Sequence, residues 1–202
     1  STITVNDDFL IMSSQWSALY GHDAKTGELL WNLSKDGIRH RASSPALYGN
    51  LAYFISLKSL FVVDAKTGSI VSKKPLGYSV DATSTPLVTE KLIIFGTITN
   101  GLVALDRESF EEKWSVQTSP SLVYTGPYET SPSNSIETSP IRVGNHVFFG
   151  ASDGVLYGVN LATGKLEWRH EVGAPVFSSM AASGNALFVS DYGGNVYGFT
   201  SR

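Results

Sequence analysis

The stretch "LYGHDAKTGELLW" at 19–31 is written again as "LFVVDAKTGSIVS" at 60–72 and "LYGVNLATGKLEW" at 156–168, with a blurred copy, "LVALDRESFEEKW", at 102–114. Anchored on Asp23, Asp64, Asp106 and Asn160, the copies follow one another at 41, 42 and 54 residues. A period of about 40 residues points to an array or a propeller, in which each unit stacks on its neighbours to build a shared core.

Each unit reads as four short strands. Upstream of three anchors stand Ser44-Pro45, Thr85-Pro86 and Ser139-Pro140, each followed by a short apolar run. The runs "LAYFIS", "LIIFGT" and "VFFGAS" come next, then the anchored strand, then a strand that ends near Trp31, Ser72, Trp114 or Trp168. Apolar residues separated by Gly-rich turns, as in "HVFFGASDGVLYGV" and "ALFVSDYGGNVYGF", are hairpin signals. No segment carries an i, i+3, i+4 apolar stripe long enough for a helix.

The turn inside the repeat has its own chemistry. An Asp or Asn at its start (Asp23, Asp64, Asp106, Asn160) can accept backbone N–H bonds, and Thr26, Thr67 and Thr163 can add a hydroxyl. Gly27, Gly68 and Gly164 stand where a positive φ is expected. These residues read as turn architecture and not as catalysts. The third unit has Ser109-Phe110 in place of Thr-Gly, so it loses the motif and keeps the length.

The expected units are 1–34, 42–73, 83–116, 137–170 and 177–202, with an insertion at 117–136. The fifth places Met180 at the Pro140 position and Thr200 at the Asn160 position, then stops after its third strand. An open strand edge invites association, and rings close by completing the last blade from the other terminus. Only Ser1-Thr2 precede the first "ITV". Either five blades close imperfectly or upstream sequence supplies the strand and further blades; the second expectation is preferred.

Composition narrows the functions. The charged fraction is 16%, low for a soluble domain, and the net charge is -3 with no basic run, so nucleic acid is not an expected partner. There are no cysteines, which removes disulfides, thiol catalysis and thiolate metal sites. No apolar run approaches the roughly 18 residues of a membrane helix, so membrane insertion is not expected either. The sequence opens without a Met or a leader, so any signal peptide is expected to have been removed or to lie upstream.

The repeat, with "SDGVLYGVNLATGKLEW" and "WSALYGHDAKTGELLW" as its best copies, resembles the PQQ-like (quinoprotein-type) β-propeller repeat over essentially the whole chain. The resemblance implies an all-β fold of four-stranded blades set radially around a channel. It also implies that Trp31, Trp114 and Trp168 dock between blades, and that the junction after the second unit, with Ser72 there, is less tightly pinned. It places the interblade loops and the turns between second and third strands on one face, at the channel mouth.

Loops on a rigid scaffold are where binding residues concentrate. The first interblade loop, "SKDGIRHRASS", offers Arg39, His40 and Arg41, which suit an anion. The second offers Tyr78 and Asp81, and the fourth His170 and Glu171. The third interblade loop, 117–140, carries Tyr124, Tyr128, Glu129 and Glu137 among Ser, Thr and Pro, and is the best single candidate for function. Trp16 and Tyr192 fall on turns near the mouth.

Four functions compete. The family's dehydrogenases hold a quinone with calcium, an Asp base, a Trp platform and usually a Cys pair, a constellation that nothing here matches residue by residue. His22, His40, His146 and His170 lie in different units without metal-ligand spacing. No catalytic residue, metal or cofactor is therefore expected. The preferred reading is a binding scaffold with a protein or glycan partner on the loop face, part of a longer bacterial protein in the periplasm or outside the cell. An appended domain of a secreted hydrolase, such as a calcineurin-like metallophosphoesterase, or a carbohydrate-recognition module are the alternatives.

Overall fold

The computed structural model describes residues 3–13, 18–34, 38, 43–56, 58–78, 80, 83–123 and 133–200. Every regular element among them is a β-strand. The first sheet holds β1 (Thr4–Val5), β2 (Phe9–Ser13), β3 (Leu19–Asp23) and β4 (Leu29–Asn32), and the second β5 (Ala46–Tyr48), β6 (Leu51–Ser56), β7 (Ser59–Asp64) and β8 (Ile70–Pro75). The third holds β9 (Leu87–Val88), β10 (Leu92–Gly96), β11 (Leu102–Asp106) and β12 (Glu112–Val116). The fourth holds β13 (Ile141–Val143), β14 (His146–Gly150), β15 (Val155–Asn160) and β16 (Leu166–Glu171). The fifth has three strands, β17 (Ala181–Ser183), β18 (Ala186–Ser190) and β19 (Val196–Thr200). Strands within a sheet pair antiparallel in chain order, a meander joined by tight turns.

These sheets are the blades of a β-propeller. The first strands lie side by side, β1 next to β5, β5 next to β9, and β13 next to β17. One apolar cluster fills each junction: Ile11, Leu19 and Phe54 between blades 1 and 2, and Tyr53, Val62 and Phe95 between blades 2 and 3. Ile94, Phe149 and Tyr157 serve blades 3 and 4, and Leu156, Leu187 and Val189 serve blades 4 and 5. Stacking explains the strand composition. Leu102, Val103, Ala104 and Leu105 of β11 are all buried, since an interior blade is covered on both faces. β19 alternates instead, with Val196 78% exposed, because among the described residues blade 5 is covered on one face only.

All four complete blades share one irregularity. The pairing of third and fourth strands slips by a residue after Gly21, Val62, Ala104 and Gly158. Such a bulge bends the outer strand and increases its twist. The residue opposite each slip point is Trp31, Ser72, Trp114 or Trp168.

Candidate functional site

The loop face is built on a ladder of hydroxyl groups. The Ser44 amide donates to Thr85 Oγ1 at 3.1 Å, the Thr85 amide to Ser139 Oγ at 3.0 Å, and the Ser139 amide to Ser179 Oγ at 3.2 Å. Each rung joins one blade to the next at the start of its innermost strand. The preceding residue ties the loop to its own blade: Gly96 N–H donates to Ser84 Oγ, Gly150 N–H to Thr138 Oγ1, and Ser178 Oγ to the Ser190 carbonyl. The doublets Ser43-Ser44, Ser84-Thr85, Thr138-Ser139 and Ser178-Ser179 carried this signal in the sequence, where only the dipeptide before proline stands out. A hydroxyl that accepts a buried amide removes a desolvation penalty of about 1–3 kcal/mol, as Ser84 does for Gly96 and Thr138 for Gly150.

The insertion is fixed at both ends. Ser121 Oγ lies 2.5 Å from Ser152 Oγ and donates to the Ser133 carbonyl at 2.9 Å, and Ser135 Oγ lies 3.0 Å from Ser152 Oγ. Asp153 accepts the Ser119 amide at 2.9 Å and the Tyr157 hydroxyl at 2.5 Å. Burial and the Asp153 carboxylate push the Tyr157 hydroxyl pKa up, so it stays a donor. Ile136 is fully buried in the core between blades 3 and 4, against Gly96. Residues 117–123 and 133–136 are therefore tied to the blade, and 124–132 lie outside the described residues.

The sequence-derived site residues fall into different environments. Glu137 Oε2 accepts the Thr83 amide at 2.8 Å and the Thr83 hydroxyl at 3.0 Å, a bridge between adjacent interblade loops. Tyr78 is withdrawn from the face: its hydroxyl is buried with no hydrogen-bond partner among the described residues, and burial, helped by Glu112, pushes its pKa to about 12. Tyr192 is 75% exposed and meets Phe177 edge to face at 5.4 Å. Trp16, Arg39, His40, Arg41, Asp81, Tyr124, Tyr128 and Glu129 lie outside the described residues. His170 and Glu171 sit in β16, where His170 stacks on Trp168 at 6.2 Å and Glu171 pairs with Arg169. Among the described residues no three His, Asp or Glu side chains gather as metal ligands would.

The repeated turns are structural devices. Asp23 Oδ1 accepts the amides of Lys25 and Thr26 at 2.9 and 2.8 Å, and Asp64 Oδ1 those of Lys66 and Thr67 at 3.0 and 2.8 Å. Asp106 does the same with Glu108 and Ser109, and Asn160 with Ala162 and Thr163. Thr26, Thr67 and Thr163 add their hydroxyls. Gly27, Gly68 and Gly164 have φ of 75°, 74° and 69°, and Phe110 takes the same place at 58°.

Two tryptophans bridge blades at these turns. Trp31 Nε1 donates to the Ala65 carbonyl at 2.9 Å and Trp114 Nε1 to the Leu161 carbonyl at 3.2 Å, each acceptor one residue past an anchor. Trp168 meets Phe148 and Phe199 edge-on at 5.8 and 5.3 Å. The junction after blade 2 differs from the loosening expected of Ser72. Phe110, at the glycine position of the facing turn, packs into the cluster there, and Arg107 lies over the Tyr48 ring at 4.5 Å. The ring absent from one side of the junction is supplied from the other.

With this geometry in hand, the family can be stated. A family model of PQQ-like repeats, described as outer membrane protein assembly factor BamB, matches residues 15–198. The chain belongs to this family. No curated protein sequence matches it. Among solved structures, BamB from Moraxella catarrhalis superposes with a TM-score of 0.78 at 18% identity, covering 98% of this chain and 57% of that one. The computationally designed Ika8 protein gives 0.75 at 17%, covering 98% and 57%. Quinohemoprotein alcohol dehydrogenase from Comamonas testosteroni gives 0.75 at 17%, covering 98% and 41%. At these identities the likeness shows the PQQ-like propeller fold alone. The chain spans 57% of the length of the first two structures and 41% of the third.

Proposed function

We propose that this BamB-family propeller is a non-catalytic protein-binding scaffold, part of a longer exported bacterial protein, and that partners engage the loop face at the channel mouth. The observation that carries this reading is the hydroxyl ladder from Ser44 through Thr85 and Ser139 to Ser179, which links the starts of blades 2 to 5 where the interblade loops enter them. A preorganised rim lowers the entropic cost of binding. The exposed Tyr192, edge to face with the half-buried Phe177, supplies an aromatic anchor on the same face, the kind of group that dominates protein interfaces. The family description supports a partner in the outer-membrane assembly machinery and a periplasmic location.

Site-specific photo-crosslinking in cells tests it. A crosslinker at Tyr192 or Phe177 is expected to capture a component of outer-membrane assembly, while one at Lys66 or Gly144, on turns of the opposite face, captures none. Crosslinks to such a component only from the opposite face would overturn the assignment.

A further inference from the structure

The outer edge of blade 2 carries charge of one sign. Lys73 and Lys74 lie in β8, and Lys58 stands at the same end of the blade, where its carbonyl accepts the Leu76 amide at 2.8 Å. All three lysines are exposed, and none is in an ion pair among the described residues. Asp64 is the one acid between 43 and 76, and its Oδ1 already accepts the Lys66 and Thr67 amides and the Thr67 hydroxyl. The net charge of the chain is -3, so this edge runs against the general balance. The other outer strands do not share it. β4 has no charged residue, β12 carries Glu112 with Lys113, and β16 carries Glu167 and Glu171 with Arg169.

The register fixes where these side chains stand. Lys73 pairs with Phe61 and Lys74 with Leu60. Cross-strand partners share a face of the sheet. Phe61 belongs to the core between blades 1 and 2 and Leu60 to the core between blades 2 and 3, so the lysines flank the edge, one on each broad face. Lys73 Nζ is held over the Phe61 ring at 5.1 Å. At the other end of β8, Ile70 and Val71 are exposed, and the outward edge has no strand beside it among the described residues. Lysines and a proline on such an edge keep like strands away. The lysines act by charge, and charge of this sign admits an acidic strand.

We propose that the β8 edge docks an extended acidic segment of a partner protein, which adds to blade 2 as a fifth strand. Main-chain hydrogen bonds supply affinity and side chains on alternating faces supply selectivity. In antiparallel addition the residues opposite Lys74 and Lys73 are consecutive and point to opposite faces, so two neighbouring acidic residues meet both ammonium groups. After one residue opposite Ser72, the partner takes apolar side chains against Val71 and Ile70. Pro75 has no N–H to donate and ends the paired stretch. A flat membrane surface needs its cations on one side, whereas Lys73 and Lys74 stand on opposite faces of the blade.

The test uses two synthetic peptides, Thr-Glu-Glu-Thr-Val-Val-Thr and its counterpart with both Glu replaced by Lys. The acidic peptide should bind the protein saturably, slow amide exchange along β8 and lose affinity as salt is raised. Lys73→Glu/Lys74→Glu should bind it about tenfold more weakly and gain affinity for the basic peptide. Lys74→Glu alone leaves the Lys73 contact with Phe61 in place and should shift both affinities in the same directions. No binding of the acidic peptide, or binding indifferent to charge reversal, would overturn the proposal. So would slowed exchange confined to another outer strand. Binding to phosphatidylglycerol vesicles that the acidic peptide fails to displace would give the edge to a membrane surface, and self-association that protects β8 would give it to a second copy; either result overturns the assignment.

Discussion

The indole of Trp31 lies directly on the bare α-carbon of Gly68. A β-carbon built on that glycine would stand 2.7 Å from the ring, and the indole N–H reaches past it to the Ala65 carbonyl. Trp114 over Gly164 repeats the arrangement at the third junction, so a glycine of one blade and a tryptophan of the previous one form a single lock.

That lock separates two glycines with the same backbone. Gly27 and Gly68 have φ of 75° and 74°, but nothing approaches a β-carbon on Gly27. Gly27→Ala should therefore lose only the left-handed penalty of about 1–2 kcal/mol. Gly68→Ala should lose that and about 1–3 kcal/mol more, as Trp31 is forced from its seat. Urea unfolding of the two variants measures the gap; equal losses would show that the ring does not press on Gly68.

The junction between blades 2 and 3 predicts a coupled exchange. Val62 occupies the place that Gly21 and Gly158 leave open, Ser72 replaces the tryptophan, and Phe110 supplies a ring while holding a φ of 58°. Ser72→Trp alone should destabilise, since its ring meets Val62 and a junction already filled. Adding Val62→Gly and Phe110→Gly should recover much of the loss. A mutant cycle is expected to give a coupling of at least about 1 kcal/mol.

The parts legible in the sequence were those written locally. Strand order and turn positions in blades 1 to 4 follow from the anchors Asp23, Asp64, Asp106 and Asn160, because turn chemistry acts within five residues. The exchange of aromatic groups between Ser72 and Phe110 was not legible. Phe110 reads as a lost glycine until the facing blade is placed beside it. Tyr78 looked like a loop residue because its polar neighbours hide the core contact that buries it. Glu137 reads as a candidate binding residue, and its partner Thr83 lies in another interblade loop.

The repeated turns set an acid limit. Backbone N–H groups of Thr26 and Lys25 hold the Asp23 carboxyl below the usual carboxylate range, and those of Thr67 and Ser109 lead the same effect at Asp64 and Asp106. The unfolded chain binds these protons more tightly, so stability is full above an unfolded pKa of about 3.9 and falls as the pH drops through the lowered folded values. Asp64→Asn should keep the turn, as Asn160 does in blade 4, and flatten the acid limb. Urea midpoints measured on both proteins down the acid range check this; parallel curves would show that the turn carboxylates do not set the limit.

The insertion should divide into a frame and a tip. Ser121, Ser133, Ser135 and Ser152 join its two ends in one buried hydroxyl network, and Ile136 completes the core behind them. Removing 120–135 strips that network and exposes the end of blade 3, so thermal stability should fall sharply, by about 3 kcal/mol or more. Replacing only 124–132 with a short Gly-Ser turn leaves every one of those bonds in place. This variant should unfold within about 0.5 kcal/mol of the parent while losing the partner captured from Tyr192, and thermal denaturation beside the crosslinking readout tests both halves. A tip deletion that unfolds like the longer one would place the frame itself in 124–132.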